Sequence, residues 1–275
     1  MSPEAFISFG SVNSYQFARM AKVTLAGNIV LVGETGVGKS SIINMIAGTT
    51  FAQTSSGATG CTFQSHSYIL PINGQNYRFF DTAGLEEGEK GTVERPTAIA
   101  NLYKLISGLD DGISLLMFCM RGPRIKNATY QNWKLFHDII CKKEIPTLLV
   151  VTGLENEENM DKWWVDNKGT FDNQGICPDN IACITAIRGR TLKDGRHAFD
   201  DYYEESQDKI LNMVLSTVLP SPRRVYKTNW FYEIIMAIRS FFGWSRNAEL
   251  IEEITALCGF SPDETRKLEM HLNDK

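Results

Sequence analysis

Gly33-Glu34-Thr35-Gly36-Val37-Gly38-Lys39-Ser40 decides how this chain is read. The stretch fits G-x-x-x-x-G-K-[ST], a loop whose backbone amides converge on phosphate. Its glycines let the backbone curl so that successive N–H groups face one anion. Lys39 adds a point charge for the β- and γ-phosphates, and the Ser40 hydroxyl is a ligand for Mg²⁺. Before the loop, Ile29-Val30-Leu31-Val32 is an apolar run of the kind that forms a buried strand. After it, Ser41 to Ala47 reads as a helix stopped by Gly48. That helix points its partly positive N-terminus at the phosphates. Residues 33–41 are therefore the expected phosphate site, with Mg²⁺ as cofactor.

Further along, Thr54 to Thr62 is small, polar and glycine-rich, the composition of a loop. Ser65 to Leu70 predicts an edge strand, Asn73-Gly74 a tight turn, and Tyr77 to Phe80 the return strand. The return delivers Asp81-Thr82-Ala83-Gly84. A carboxylate at the end of an apolar strand can reach Mg²⁺ through water, and the Gly84 amide, with no side chain in the way, can reach the γ-phosphate.

The rest of the chain alternates. Helical spacing over 98–106 precedes an apolar strand over 113–120. Helical spacing over 130–140 precedes a strand over 147–151. A helix carrying Trp163 and Trp164, both read as packing residues, leads to a strand over 181–184. A helix over 202–219 is stopped by Pro220 and Pro222. Strands alternating with helices predict an α/β fold, a doubly wound, mostly parallel sheet with an antiparallel edge strand. Ligands in such a sheet lie at the carboxyl ends of the strands, where these motifs fall.

Composition narrows the class. The chain has 275 residues, 43% hydrophobic and 22% charged, as in ordinary globular proteins. A net charge of −4 argues against a general nucleic-acid binder, so no nucleic-acid partner is expected. The six cysteines show no C-x-x-C spacing, which fits reduced thiols in a cytoplasmic protein. The four histidines are scattered without zinc-ligand spacing. No secretory signal, lipid anchor or membrane span is expected.

A phosphate loop, a threonine-bearing loop, an edge hairpin and Asp-Thr-Ala-Gly, in that order, resemble the translation-factor-related class of P-loop GTPases over residues 26–219. More narrowly, the chain is similar to the septin-like branch that holds the AIG-type (immune-associated) GTPases and the chloroplast import receptors. Thr152-Gly153-Leu154-Glu155 resembles the variant found in AIG-like G-domain proteins of fungal type. The resemblance implies GTP and GDP as ligands, GTP hydrolysis as activity, and a homodimer through the nucleotide face. It implies roles for Lys39, Thr62 and Gly84 in catalysis, and for Ser40, Thr62 and Asp81 in holding Mg²⁺, with Thr59 the rival of Thr62. Thr152, Gly153 and Glu155 are the implied base-reading segment, and Thr185-Ala186 the loop whose backbone meets the base.

Two departures from the class stand out. Most relatives carry [NT]-K-x-D, where the lysine stem covers the ring face and the carboxylate accepts from guanine N1 and N2. Here Gly153 replaces the lysine and Glu155 the aspartate. Glutamate still accepts both bonds, whereas stacking is weakened, and ATP remains the rival nucleotide. Leu85 stands where Ras-like relatives place a water-orienting glutamine, which implies slow turnover. Glu86 and Glu87 read as exposed loop acids. Arg121 and Arg124 read as surface arginines, with a phosphate contact in cis or trans as the rival.

Three segments are expected: an N-terminal extension (1–25), a G domain (26–220) and a C-terminal helical extension (221–275). Residues 229–244 have helical apolar spacing with basic flanks, and an acidic helical stretch follows. A helical hairpin docked on the G domain, an oligomer contact and a peripheral membrane contact all fit that pattern. Three functions compete on these grounds: a slowly hydrolysing GTP switch or assembly module, a non-hydrolysing nucleotide-binding dimerisation scaffold, and a membrane-associated assembly GTPase.

Overall fold

The computed structural model describes residues 24–49, 66–82, 105–106, 108–109, 111–141, 143–223 and 266. Strand β1 (Leu25–Val32) leads into helix α1 (Lys39–Ala47). A hairpin of β2 (His66–Ile72) and β3 (Gln75–Asp81) turns at Asn73-Gly74. Then come β4 (Leu115–Arg121), α2 (Asn127–Trp133) with a π-helical continuation (Lys134–Ile140), and β5 (Thr147–Thr152). Helix α3 (Met160–Asn173), β6 (Asn180–Cys183) and α4 (Asp200–Thr217) complete the described elements.

The strands form one sheet in the order β2-β3-β1-β4-β5-β6. β2 pairs antiparallel with β3 at one edge, and the other neighbours are parallel. This is the doubly wound sheet with an antiparallel edge strand that the alternation predicts. Its inner strands are buried on both faces, which is why they read as unbroken apolar runs. All of β5 is buried, and β4 is buried up to its last residue, Arg121.

Side chains alternate across the sheet with the strand period. Ile29 and Leu31 join Phe79, Met117 and Val150 on the face covered by α1 and α4. Val30 and Val32 join Phe118, Leu149 and Val151 on the face covered by α2 and α3. Trp133, from the end of α2, is fully buried there, edge-on to Phe118 at 5.3 Å. Each such burial contributes about 1.5–3 kcal/mol relative to exposure, so the two layers fix the sheet that carries the loops.

Some boundaries move. The strand expected over 113–120 begins at Leu115, because Ile113 pairs instead with Arg223, exchanging backbone bonds of 2.9 and 2.8 Å. The chain thus still lies against the sheet beyond residue 220. The helix expected over 130–140 starts at Asn127 and widens to π winding at Lys134. Trp163 packs as expected: it is buried, 6.1 Å from Phe171, and its Nε1 donates to the Pro123 carbonyl at 3.1 Å.

Cys119, Cys141 and Cys183 are buried free thiols, with burial pushing each up to about 12, and Cys177 is exposed and free. Among the described residues no helix is long and apolar enough to cross a membrane. Residues 1–23 of the expected N-terminal extension (1–25), residues 98–104 of the helix expected over 98–106, Cys61, Cys258 and the segment 229–244 lie outside the described residues.

Candidate functional site

The phosphate loop is built at the carboxyl end of β1, between that strand and α1. Gly33 turns the chain out of the strand. A β-carbon there would lie 2.2 Å from the Cys119 carbonyl oxygen, so only glycine lets β1 exit this close to β4. Thr35 and Gly36 are exposed at the rim, and Val37 is buried beneath them. α1 then opens at Lys39 with no side-chain cap on its first amides. Uncapped amides at a helix N-terminus are free for an anion. Ser41 sits half-buried in the first turn, and the Gly48 N–H closes the helix on the Met45 carbonyl.

Lys39 is buried, and its ammonium donates to the Gly33 carbonyl at 3.1 Å and the Glu34 carbonyl at 2.9 Å. Two of its three N–H groups are thereby used to hold the loop, and the third is left for a ligand oxygen. Burial lowers its pKa from the ordinary lysine value, opposed by the nearby Asp81 and Glu34 carboxylates. The Glu34 carboxylate pairs outward with Lys126 at 2.9 Å.

Asp81, at the end of β3, meets Ser40 across the loop: Ser40 Oγ donates to Asp81 Oδ2 at 2.6 Å. Burial raises the Asp81 pKa above the ordinary carboxylate value, and the Ser40 bond and Lys39 oppose the rise. Thr82 Oγ1 donates to the Leu31 carbonyl at 2.6 Å and so pins the exit of β3 to β1. A hydroxyl and a carboxylate side by side are hard oxygen donors, the chemistry that Mg²⁺ selects. Ser40 and Asp81 fit that ion. Among the described residues no group of three His, Cys, Asp or Glu side chains gathers as a softer metal would need.

The candidate base-side residues come from the ends of β5 and β6. Thr152 is buried, and its hydroxyl donates to the Val37 carbonyl inside the phosphate loop at 2.6 Å, with the Met120 carbonyl at 3.3 Å. Its hydroxyl therefore supports the loop. Gly153 follows with φ +79°, a left-handed backbone that suits glycine. Glu155 is half-buried, and Thr185 Oγ1 donates to its Oε2 at 3.3 Å, so the two base-side loops touch. The Thr185 N–H is held by Ser206 Oγ at 3.1 Å, and Ala186 is half-buried beside it.

The described candidates thus converge on one end of the sheet from β1, β3, β5 and β6. Thr59, Thr62, Gly84, Leu85, Glu86 and Glu87 lie outside the described residues. Sequence reading missed the Lys126–Glu34 pair, the Thr82 anchor and the supporting task of Thr152. No local signal marks them, because each joins segments far apart in the chain.

Residues 28–152 match the family model described as 50S ribosome-binding GTPase. GTPase Der of Chlamydia trachomatis is 28% identical over 213 residues, covering 75% of this chain and 41% of Der. Among solved structures, Aquifex aeolicus Era bound to GDP and AlF4⁻ superposes with a TM-score of 0.51 at 18% identity, covering 71% of this chain and 58% of that one. Era in complex with MgGDPNP and nucleotides 1506–1542 of 16S ribosomal RNA gives 0.50 at 17% identity, covering 73% and 59%. The chain spans less than half the length of Der and under two thirds of either Era chain. The fold is that of a P-loop GTPase G domain. Der and Era bear out the P-loop GTPase class of the sequence resemblance and do not bear on its septin-like branch.

Proposed function

We propose that the protein binds GTP and GDP with Mg²⁺ and hydrolyses GTP, serving as a nucleotide-controlled switch or assembly module. The Ser40–Asp81 hydrogen bond of 2.6 Å carries this reading, because it joins the phosphate loop to the Asp-Thr-Ala-Gly segment in one oxygen site. Lys39 and the loop amides hold the phosphates, and Glu155, steadied by Thr185, offers a carboxylate to the guanine N1 and N2 donors. Ser40 and Asp81, Asp81 through water, would hold Mg²⁺ together with Thr62, the ligand that the sequence resemblance implies, and the bound ion would neutralise charge on the phosphate oxygens. A water oxygen attacks the γ-phosphorus while the bridging oxygen leaves with its bond pair on GDP. The water's protons pass to the released phosphate and solvent. Lys39, the loop amides and Gly84 stabilise the negative charge that develops.

The reading is supported by the Der and Era relatives and by Era structures that hold guanine nucleotides. Leu85 motivates slow turnover. The deciding experiment is calorimetric titration with GTP, GDP and ATP analogues, together with phosphate release by wild type and Lys39→Ala. Guanine-selective binding and a loss of turnover of about 100-fold or more in Lys39→Ala are expected. Equal turnover in the two proteins would remove the active-site assignment, and binding without phosphate release would favour a non-hydrolysing scaffold.

One of the Era structures is held with ribosomal RNA, so the acidic net charge no longer serves to exclude an RNA partner here. A filter-binding titration with ribosomal RNA, in GDP and in a GTP analogue, tests it. The finer sequence expectations belong to the same reading: a septin-like or AIG-type placement, a homodimer across the nucleotide face, and membrane contact through 229–244. Sedimentation in both nucleotide states and liposome flotation address the last two. A monomer in every state would remove the dimer, and no flotation would remove the membrane contact.

A further inference from the structure

We infer that Arg121 takes over the base-covering task that Gly153 cannot perform, laying its guanidinium over the purine face while Glu155 reads the purine edge. The inference rests on the guanine-nucleotide reading above and adds a residue to it.

Three observations place Arg121 there. It is the last residue of β4 and sits in register opposite Thr152 of β5, so it emerges beside Gly153. A β-carbon built on Gly153 would lie 3.0 Å from Arg121 Cγ and 3.2 Å from its Nε. The arginine stem therefore fills the space that a side chain at position 153 would take. The φ of +79° at Gly153 disfavours any side chain there, so that space is given to a neighbour.

The backbone under Arg121 is held firmly. The Gly122 N–H donates to the Thr152 carbonyl at 2.8 Å, and Trp163 Nε1 donates to Pro123 at 3.1 Å. The side chain itself is exposed, and among the described residues no carboxylate pairs with it. Its flat, delocalised cation is thus available to a ring. Arginine stacks on aromatic faces where a lysine stem would only cover them. Arg121 then compensates for the departure at 153: the cation absent from the loop after β5 is supplied from the end of β4.

Calorimetry with Mg²⁺ tests this, using GDP and inorganic tripolyphosphate as paired ligands on wild type, Arg121→Ala and Arg121→Lys. The base-covering role predicts about ten-fold weaker GDP binding in Arg121→Ala, partial recovery in Arg121→Lys, and tripolyphosphate affinity within about two-fold of wild type throughout. GDP affinity unchanged in Arg121→Ala overturns the inference. Equal losses for GDP and tripolyphosphate also overturn it, by making Arg121 a phosphate contact. Wild type that binds tripolyphosphate but not GDP would remove the guanine reading and this inference together.

Discussion

Thr152 Oγ1 donates to the Val37 carbonyl at 2.6 Å, joining the end of β5 to the centre of the phosphate loop across 115 residues of sequence. The candidate base-side segment is therefore tied to the phosphate loop. The same side chain lies beside Gly38, where a β-carbon would sit 3.5 Å from Thr152 Cγ2.

Thr152→Val keeps the volume and removes the donor. It leaves the Val37 carbonyl without that partner, which costs about 1–3 kcal/mol. Urea denaturation of the nucleotide-free protein should show that loss, and GDP affinity should fall with it. A variant as stable as wild type would mean that the loop does not depend on this bond.

Ser40→Ala should separate metal-dependent from metal-independent binding. Among the described residues, the Ser40 hydroxyl and the Asp81 carboxylate, 2.6 Å apart, are the candidate oxygen donors for Mg²⁺. Removing the hydroxyl is expected to weaken GTP-analogue binding about ten-fold or more with Mg²⁺ present and to change it little in EDTA. Fluorescence titration with a labelled nucleotide in the two buffers reads this directly. Equal losses in both would place Ser40 on the phosphate alone.

The buried carboxylate of Asp81 makes the nucleotide-free protein pH-sensitive. Its pKa is raised from 3.8, chiefly by burial. Between 3.8 and the raised native value the folded state binds more protons than the unfolded chain, so this group's contribution falls as pH rises through that window. Asp81→Asn removes the charge, and its amide oxygen can still accept from Ser40. It should stabilise the nucleotide-free protein at neutral pH, and the gain should shrink as acid protonates wild-type Asp81. Urea midpoints measured across pH check the sign, and a destabilised Asp81→Asn protein at neutral pH would contradict it. The same variant should lose Mg²⁺-dependent affinity, an exchange of stability for function typical of buried charge.

Much of the fold was legible because its strands are buried on both faces. Ile29 to Val32 and Thr147 to Val151 stand out as apolar runs, and β1 and β5 contain them. The Asn73-Gly74 turn announced the hairpin. Less legible was where pairing ends. Ile113 reads as part of a strand but bridges to Arg223, a partner that no local pattern names. The π winding after Trp133 was equally hidden, since the apolar spacing there resembles an ordinary helix.

The site divides along the same line. By itself the sequence determined the phosphate chemistry, because Gly33 to Ser40 carries its backbone conformation, its cation and its hydroxyl within one contiguous stretch. It also marked the missing lysine at 153 and the glutamate at 155. Only the tertiary structure decided that Ser40 meets Asp81, that Thr152 holds Val37, and that the Arg121 stem fills the space beside Gly153. Local sequence sets backbone preference and side-chain chemistry. Which distant side chains touch is set by strand order and register, and those follow from burying both faces of the sheet at once.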